Sequence, residues 1–211
     1  MLQTLFWSPG SALFNTFFSF RARGLENLPQ DRPYLLAANY TSHLDTPAIF
    51  LAARPHVERV SLAAARDYFS RSVLSGWFFR TFANALLLDH GEDLRESLIE
   101  IRSLLGARRP LLVFPEGTRS PSGQLQPFKT GVGLLALELD VPIVPVCICG
   151  TYEALGRRRS SRPPIRLAFG APLEMAPYRA QCDRLHRYEV YRLIVEELKR
   201  EIDALAQQNG D

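Results

Sequence analysis

The sequence is short of most features that would tie it to a nucleic acid, a metal or a disulfide framework. Lysine occurs only at Lys129 and Lys199 in 211 residues, so its basic side chains are almost all arginine, and the net charge is only +3. So one-sided a choice of cation reflects overall composition as much as function, and arginine counts carry little weight as a sign of an anionic partner. The basic residues also lack an interleaved aromatic platform, so nucleic-acid binding is not expected. Cysteine occurs three times, at Cys147, Cys149 and Cys182. No His or Cys cluster surrounds them at ligand spacing, so no metal site is expected. Cys147 and Cys149 share one face of an apolar run, where residues two apart lie roughly 6.5–7 Å apart, at the limit for a bridge. They read as core thiols of a reduced, cytoplasmic protein. No apolar run approaches the roughly 20 residues that span a bilayer. The N-terminus lacks the ordered leader, apolar core and cleavage site of a signal peptide.

What is present describes one well-buried domain. Apolar residues make up 46% and charged residues 22%, an ordinary globular balance with enough apolar surface for a single core. The first twenty residues crowd Phe6, Trp7, Phe14, Phe17, Phe18 and Phe20 around Ser8-Pro9-Gly10, with Arg21 and Arg23 following. Short aromatic segments followed by arginine suit an arm of two helices lying in a membrane interface. A helical arm packed on the protein's own core has the same composition. The chain is therefore expected to divide into an aromatic arm over 1–22 and one α/β domain over 23–211.

Within that domain, apolar runs alternate with amphipathic ones. Strands are expected over 33–39, 60–65, 83–88, 111–114, 142–148 and 165–169. Helices are expected from an N-cap at Thr41 or Ser42 to 53, over 94–105 and 131–139, and over 185–205 with Arg192 on its apolar side. This pattern implies an α/β fold: a single mixed, largely parallel sheet flanked by helices, with the N-terminal aromatic-rich helical arm outside it. In such sheets the loops leaving the C-terminal ends of strands carry the ligand site. Two polar tracts begin where a strand ends, Asn39-Tyr40-Thr41-Ser42-His43-Leu44-Asp45 and Phe114-Pro115-Glu116-Gly117-Thr118-Arg119-Ser120.

These tracts resemble motifs of the glycerolipid acyltransferase family, the 1-acylglycerol-3-phosphate acyltransferase-like (PlsC-like) enzymes. The family's first motif, Asn-His-x-Ser-x-x-Asp, is matched at Asn39, Ser42 and Asp45, and its third at every position from Phe114 to Ser120. The apolar strand with its Val-Pro pairs around 141–146 is similar to the fourth. The resemblance covers about 23–172. It implies transfer of a fatty acyl chain from acyl-CoA or acyl carrier protein to a lysophospholipid or glycerol-phosphate-type acceptor at a membrane surface. No further cofactor is implied, and the protein would be cytoplasmic and peripherally membrane-associated. The alternative is a catalytically inactive member that still binds lipid or acyl-CoA.

The resemblance assigns Asp45 as the acid that orients the base, and Glu116, Gly117 and Arg119, with Thr118 between them, as acceptor ligands. An arginine offers phosphate a bidentate fork, and a glycine lets backbone approach a ligand closely. Lys129, just before a helix start, is a further candidate for a phosphate of the acceptor or of acyl-CoA. The chain departs from the family twice. Tyr40 occupies the base position, and a phenol with a reference pKa near 10 is a poor base at pH 7. His90 occupies the second-motif position that usually holds arginine. His43 and His90 are the candidates for a replacement base. His43 falls on a variable motif position and reads as a site-wall residue, because residues two apart on a helix do not face each other.

Overall fold

In a computed structural model, residues 19–54, 56, 60–65, 85–88, 94–105, 109–154 and 164–210 are described. Residues 1–18 of the arm expected over 1–22 and the candidate base His90 lie outside them. The strands are β1 (Ser19–Arg23), β2 (Leu35–Ala38), β3 (Ser61–Ala65), β4 (Ala85–Leu88), β5 (Leu111–Val113), β6 (Ile143–Cys149) and β7 (Pro164–Phe169). They form one sheet in the order β1-β7-β6-β2-β5-β3-β4. The five strands from β6 to β4 run parallel, β7 is antiparallel to β6, and β1 is parallel to β7. The sheet is thus mixed and largely parallel. Among the described residues the helices are α1 (Asp45–Ala53), α2 (Leu94–Leu104), α3 (Gly131–Leu139), α4 (Thr151–Ala154), α5 (Ala176–Arg179) and α6 (Arg187–Gly210).

The central strands are apolar throughout because both faces are covered. Leu35, Ala37, Leu111, Val113, Ile143 and Cys147 face one cluster with Val132, Leu135 and Ala136 of α3 and Val190, Ile194, Leu198 and Ile202 of α6. The alternate residues Leu36, Ala38, Leu112, Val144, Val146 and Ile148 face the other, with Ala48, Ile49, Ala52 and Ala53 of α1. The buried seam of α6 therefore runs through positions four apart from Val190. Arg192, expected on the apolar side, is exposed and pairs with Glu196.

Strand β1 begins inside the segment expected as an arm. Its side chains alternate between exposed and half-buried, the period-two signature of an edge strand, and Ser19 to Arg23 pair residue by residue with Pro164 to Ala168. Aromatic crowding further upstream masks that short alternation in the sequence.

One interior group is conspicuous. The Tyr34 side chain is fully buried, and its hydroxyl has no hydrogen-bond partner. Burial alone raises its pKa far above the ordinary phenol value. An unpaired buried hydroxyl is destabilising, so Tyr34→Phe is expected to raise stability by about 1 kcal/mol in urea unfolding. A loss of stability in that variant would contradict the reading.

Candidate active site

Both polar tracts leave the C-terminal ends of parallel strands, and the structure brings them into contact. The ladder between β2 and β6 ends at Ala38 opposite Val146. The Asn39 side chain extends it: Nδ2 donates to the Ile148 carbonyl at 2.9 Å, and Oδ1 accepts from the Ile148 N–H at 2.8 Å. With its amide occupied at both ends, Asn39 fixes the chain just before Tyr40.

Tyr40 is then tied to the second tract by three contacts. Its N–H donates to Glu116 Oε1 at 2.7 Å, and its carbonyl accepts from the Ser120 N–H at 2.8 Å. Its ring stacks on Phe114 with centroids 4.1 Å apart and planes 15° apart.

Asp45 is fully buried. The expected N-cap at Thr41 or Ser42 is not the arrangement found, because α1 begins at Asp45 and its N-cap residue is Leu44, without a side-chain cap. The capping runs backwards instead. Asp45 Oδ2 accepts the N–H groups of Thr41 at 2.6 Å and Ser42 at 2.8 Å, while Ser42 Oγ accepts the Leu44 N–H at 3.2 Å. A carboxylate accepts two backbone donors better than a hydroxyl can, so it wins the competition for the turn. The Thr41 hydroxyl, also within reach of Oδ2, is 3.1 Å from that of Thr151 in α4. Asp45 Oδ1 has no hydrogen-bond partner of full geometry. Burial raises the Asp45 pKa, opposed by donors at Thr151, Ser42 and Thr41.

Glu116 is also buried, at 3% exposure. Oε1 holds the Tyr40 N–H, and Oε2 accepts the Gln126 N–H at 3.1 Å. Burial raises its pKa, the two N–H donors lower it, and the nearby charge of Asp45 adds to the rise. Expected as an acceptor ligand, Glu116 stands in this structure as a clamp joining the first tract to the loop that follows the second.

The rim is cationic. Gly117 turns the chain at φ +73°, with its N–H on the Phe114 carbonyl, and a Cβ there would lie 2.7 Å from Lys129 Nζ. Glycine thus lets the turn take the left-handed region and lets the Lys129 ammonium close over it. Gly117, Thr118, Arg119 and Lys129 are exposed, as is His43. Partial burial lowers the His43 pKa, and the positive charge of Arg119 lowers it further. The structure therefore gathers Tyr40, His43, Asp45, Glu116, Gly117, Thr118, Arg119 and Lys129 at one end of the sheet. Thr151 is the participant that sequence reasoning missed. Its only signal is its position just after strand β6 and Gly150, since a lone hydroxyl carries no motif. Among the described residues no group of three His, Cys, Asp or Glu could hold a metal.

Comparison with known proteins shows the family and the fold. The family model described as Acyltransferase matches residues 19–149. A 1-acyl-sn-glycerol-3-phosphate acyltransferase of Chlamydomonas reinhardtii is 30% identical over 152 residues, 70% of this chain and 44% of that protein. The enzyme of that name from Saccharomyces cerevisiae is 34% identical over 135 residues, 61% and 42% of the two chains. The chain thus spans less than half the length of these curated relatives. The crystal structure of the 1-acyl-sn-glycerophosphate acyltransferase PlsC from Thermotoga maritima superposes with a TM-score of 0.66 at 28% identity, covering 93% of this chain and 76% of that one.

Proposed function

Because the chain belongs to the acyltransferase family, we propose that it transfers a fatty acyl chain from acyl-CoA or acyl carrier protein to a lysophospholipid or glycerol-phosphate-type acceptor. Asp45 is the observation that carries the reading. Its carboxylate is fully buried and anchored through Oδ2 by the Thr41 and Ser42 N–H groups, with the Thr151 hydroxyl as a further donor, so it is held in a fixed orientation at the site. Such a carboxylate is suited to orient and steady a donor placed beside it, which is the task of the acid in an acid–base pair.

In the reaction the acceptor hydroxyl oxygen attacks the thioester carbonyl. The carbon–sulfur bond breaks, and the hydroxyl proton ends on the departing thiol. Arg119 and Lys129 supply exposed cations for the acceptor phosphate. Tyr40 makes proton removal the slow step, because a protonated phenol replaces the expected imidazole. The work takes place at a membrane surface on the cytoplasmic side, where the acceptor resides. A second reading is a binding protein without turnover. It is favoured by the Tyr40 ring lying flat on Phe114, a packing role rather than a proton-transfer one.

The test follows labelled acyl thioester into acceptors with and without a phosphate. Wild type is expected to acylate the phosphate-bearing acceptor. Arg119→Ala is expected to raise its KM roughly tenfold, as for loss of one charged hydrogen bond, while sparing a phosphate-free analogue. Equal KM effects on both acceptors would remove Arg119 from phosphate recognition. Tight acceptor binding with no transfer would favour the second reading.

A further inference from the structure

The two thiols at the end of β6 form a pair that acyl transfer does not use. Cys147 is buried, Cys149 is half-buried, and their sulfurs lie 3.6 Å apart. Residues two apart on a strand have Cα atoms roughly 6.5–7 Å apart, at the upper limit for a disulfide, so a direct bond would require the strand to contract. Ile148, between them, carries both hydrogen bonds of Asn39, which resist that contraction. A single bridging atom needs no such movement. Two bonds of about 2.3 Å, typical of a metal–thiolate bond, span this gap at an angle of about 100°.

That angle selects among thiophilic centres. A linear two-coordinate ion would hold the sulfurs about 4.6 Å apart with the same bonds. A tetrahedral ion would need further protein ligands, and no group of three His, Cys, Asp or Glu is placed for one among the described residues. A pyramidal trivalent centre needs two sulfurs and can bring its third ligand itself. We propose that Cys147 and Cys149 form a dithiol site for a trivalent thiophilic metalloid carrying one organic substituent. Cys149, the more accessible thiol, reacts first. It displaces one hydroxide from the hydrated metalloid as water, and Cys147 then displaces the second. Two metalloid–sulfur bonds form, two waters leave, and no redox change occurs. The first step is favoured because the neighbouring Cys147 thiol, and more weakly Arg166, bring the Cys149 pKa down to about 7 against the opposing effects of burial, Glu153 and Asp45.

The experiment adds phenylarsine oxide to the reduced full chain and reads intact mass and thiol titration. The expected product is one phenylarsine per chain with two of the three thiols lost. It should survive excess monothiol and be released by a dithiol. Cys182→Ser should behave as wild type, whereas Cys149→Ser should bind about a hundredfold more weakly through loss of the chelate. Cys147→Ala, checked for folding by circular dichroism, should show the same loss. Release by monothiol, or undiminished binding to Cys149→Ser, would overturn the proposal.

Discussion

Tyr40→His is expected to raise the rate of acyl transfer by about two to four orders of magnitude, the usual contribution of a positioned general base. Position 40 is held by its backbone rather than by its ring: Asn39 anchors the preceding residue, and Glu116 and Ser120 bind the main chain on either side of the Tyr40 Cα. A histidine there inherits that fixed backbone. Its imidazole has an ordinary pKa near 6.5, so a useful fraction is neutral at pH 7, unlike a phenol. The buried Asp45 carboxylate is the group expected to set its tautomer and stabilise its charged form. The substitution gives up the stacked contact with Phe114, worth about 1 kcal/mol, and should lower stability by that amount.

Glu116→Ala is expected to cost about 2–5 kcal/mol of stability, measured by urea unfolding. Each Glu116 oxygen accepts a backbone N–H in a buried setting, and truncation leaves both donors unsatisfied at about 1–3 kcal/mol each. Glu116→Gln should fall between, since its amide NH2 would meet one of those N–H groups as a second donor. Both variants should lose activity in proportion to their lost structure. Unchanged stability with a raised acceptor KM would instead make Glu116 a ligand of the acceptor rather than a clamp.

Much of the fold was legible because the strands are buried on both faces. Runs such as Leu111 to Val113, or Ile143 to Cys149, are apolar for that reason and cannot be read as surface. The edge was less legible: β1 contributes one alternating stretch of five residues, hidden by the aromatics before it. The start of α1 was misplaced because Thr41 and Ser42 look like N-caps. A buried carboxylate downstream competes for the same N–H groups, and that competition is decided by three-dimensional geometry. For the candidate site, motif matching marked the residues but not which of them would be exposed and which turned inward. Arg119 and Lys129 lie on an exposed rim, while Glu116 is turned inward onto the backbone. Likewise, sequence spacing put Cys147 and Cys149 at the limit for a bridge, and only the side-chain positions reveal sulfurs held at 3.6 Å.

The central claim is that Asp45 is the acid that would orient an imidazole at position 40, where this chain carries a phenol. It is tested most directly by measuring kcat for transfer from labelled acyl-CoA to lysophosphatidic acid in wild type, Tyr40→His, Asp45→Asn and the double variant. The account predicts a gain of at least about a hundredfold in Tyr40→His that disappears when Asp45→Asn is added. No gain in Tyr40→His, or a gain that survives Asp45→Asn, would contradict it.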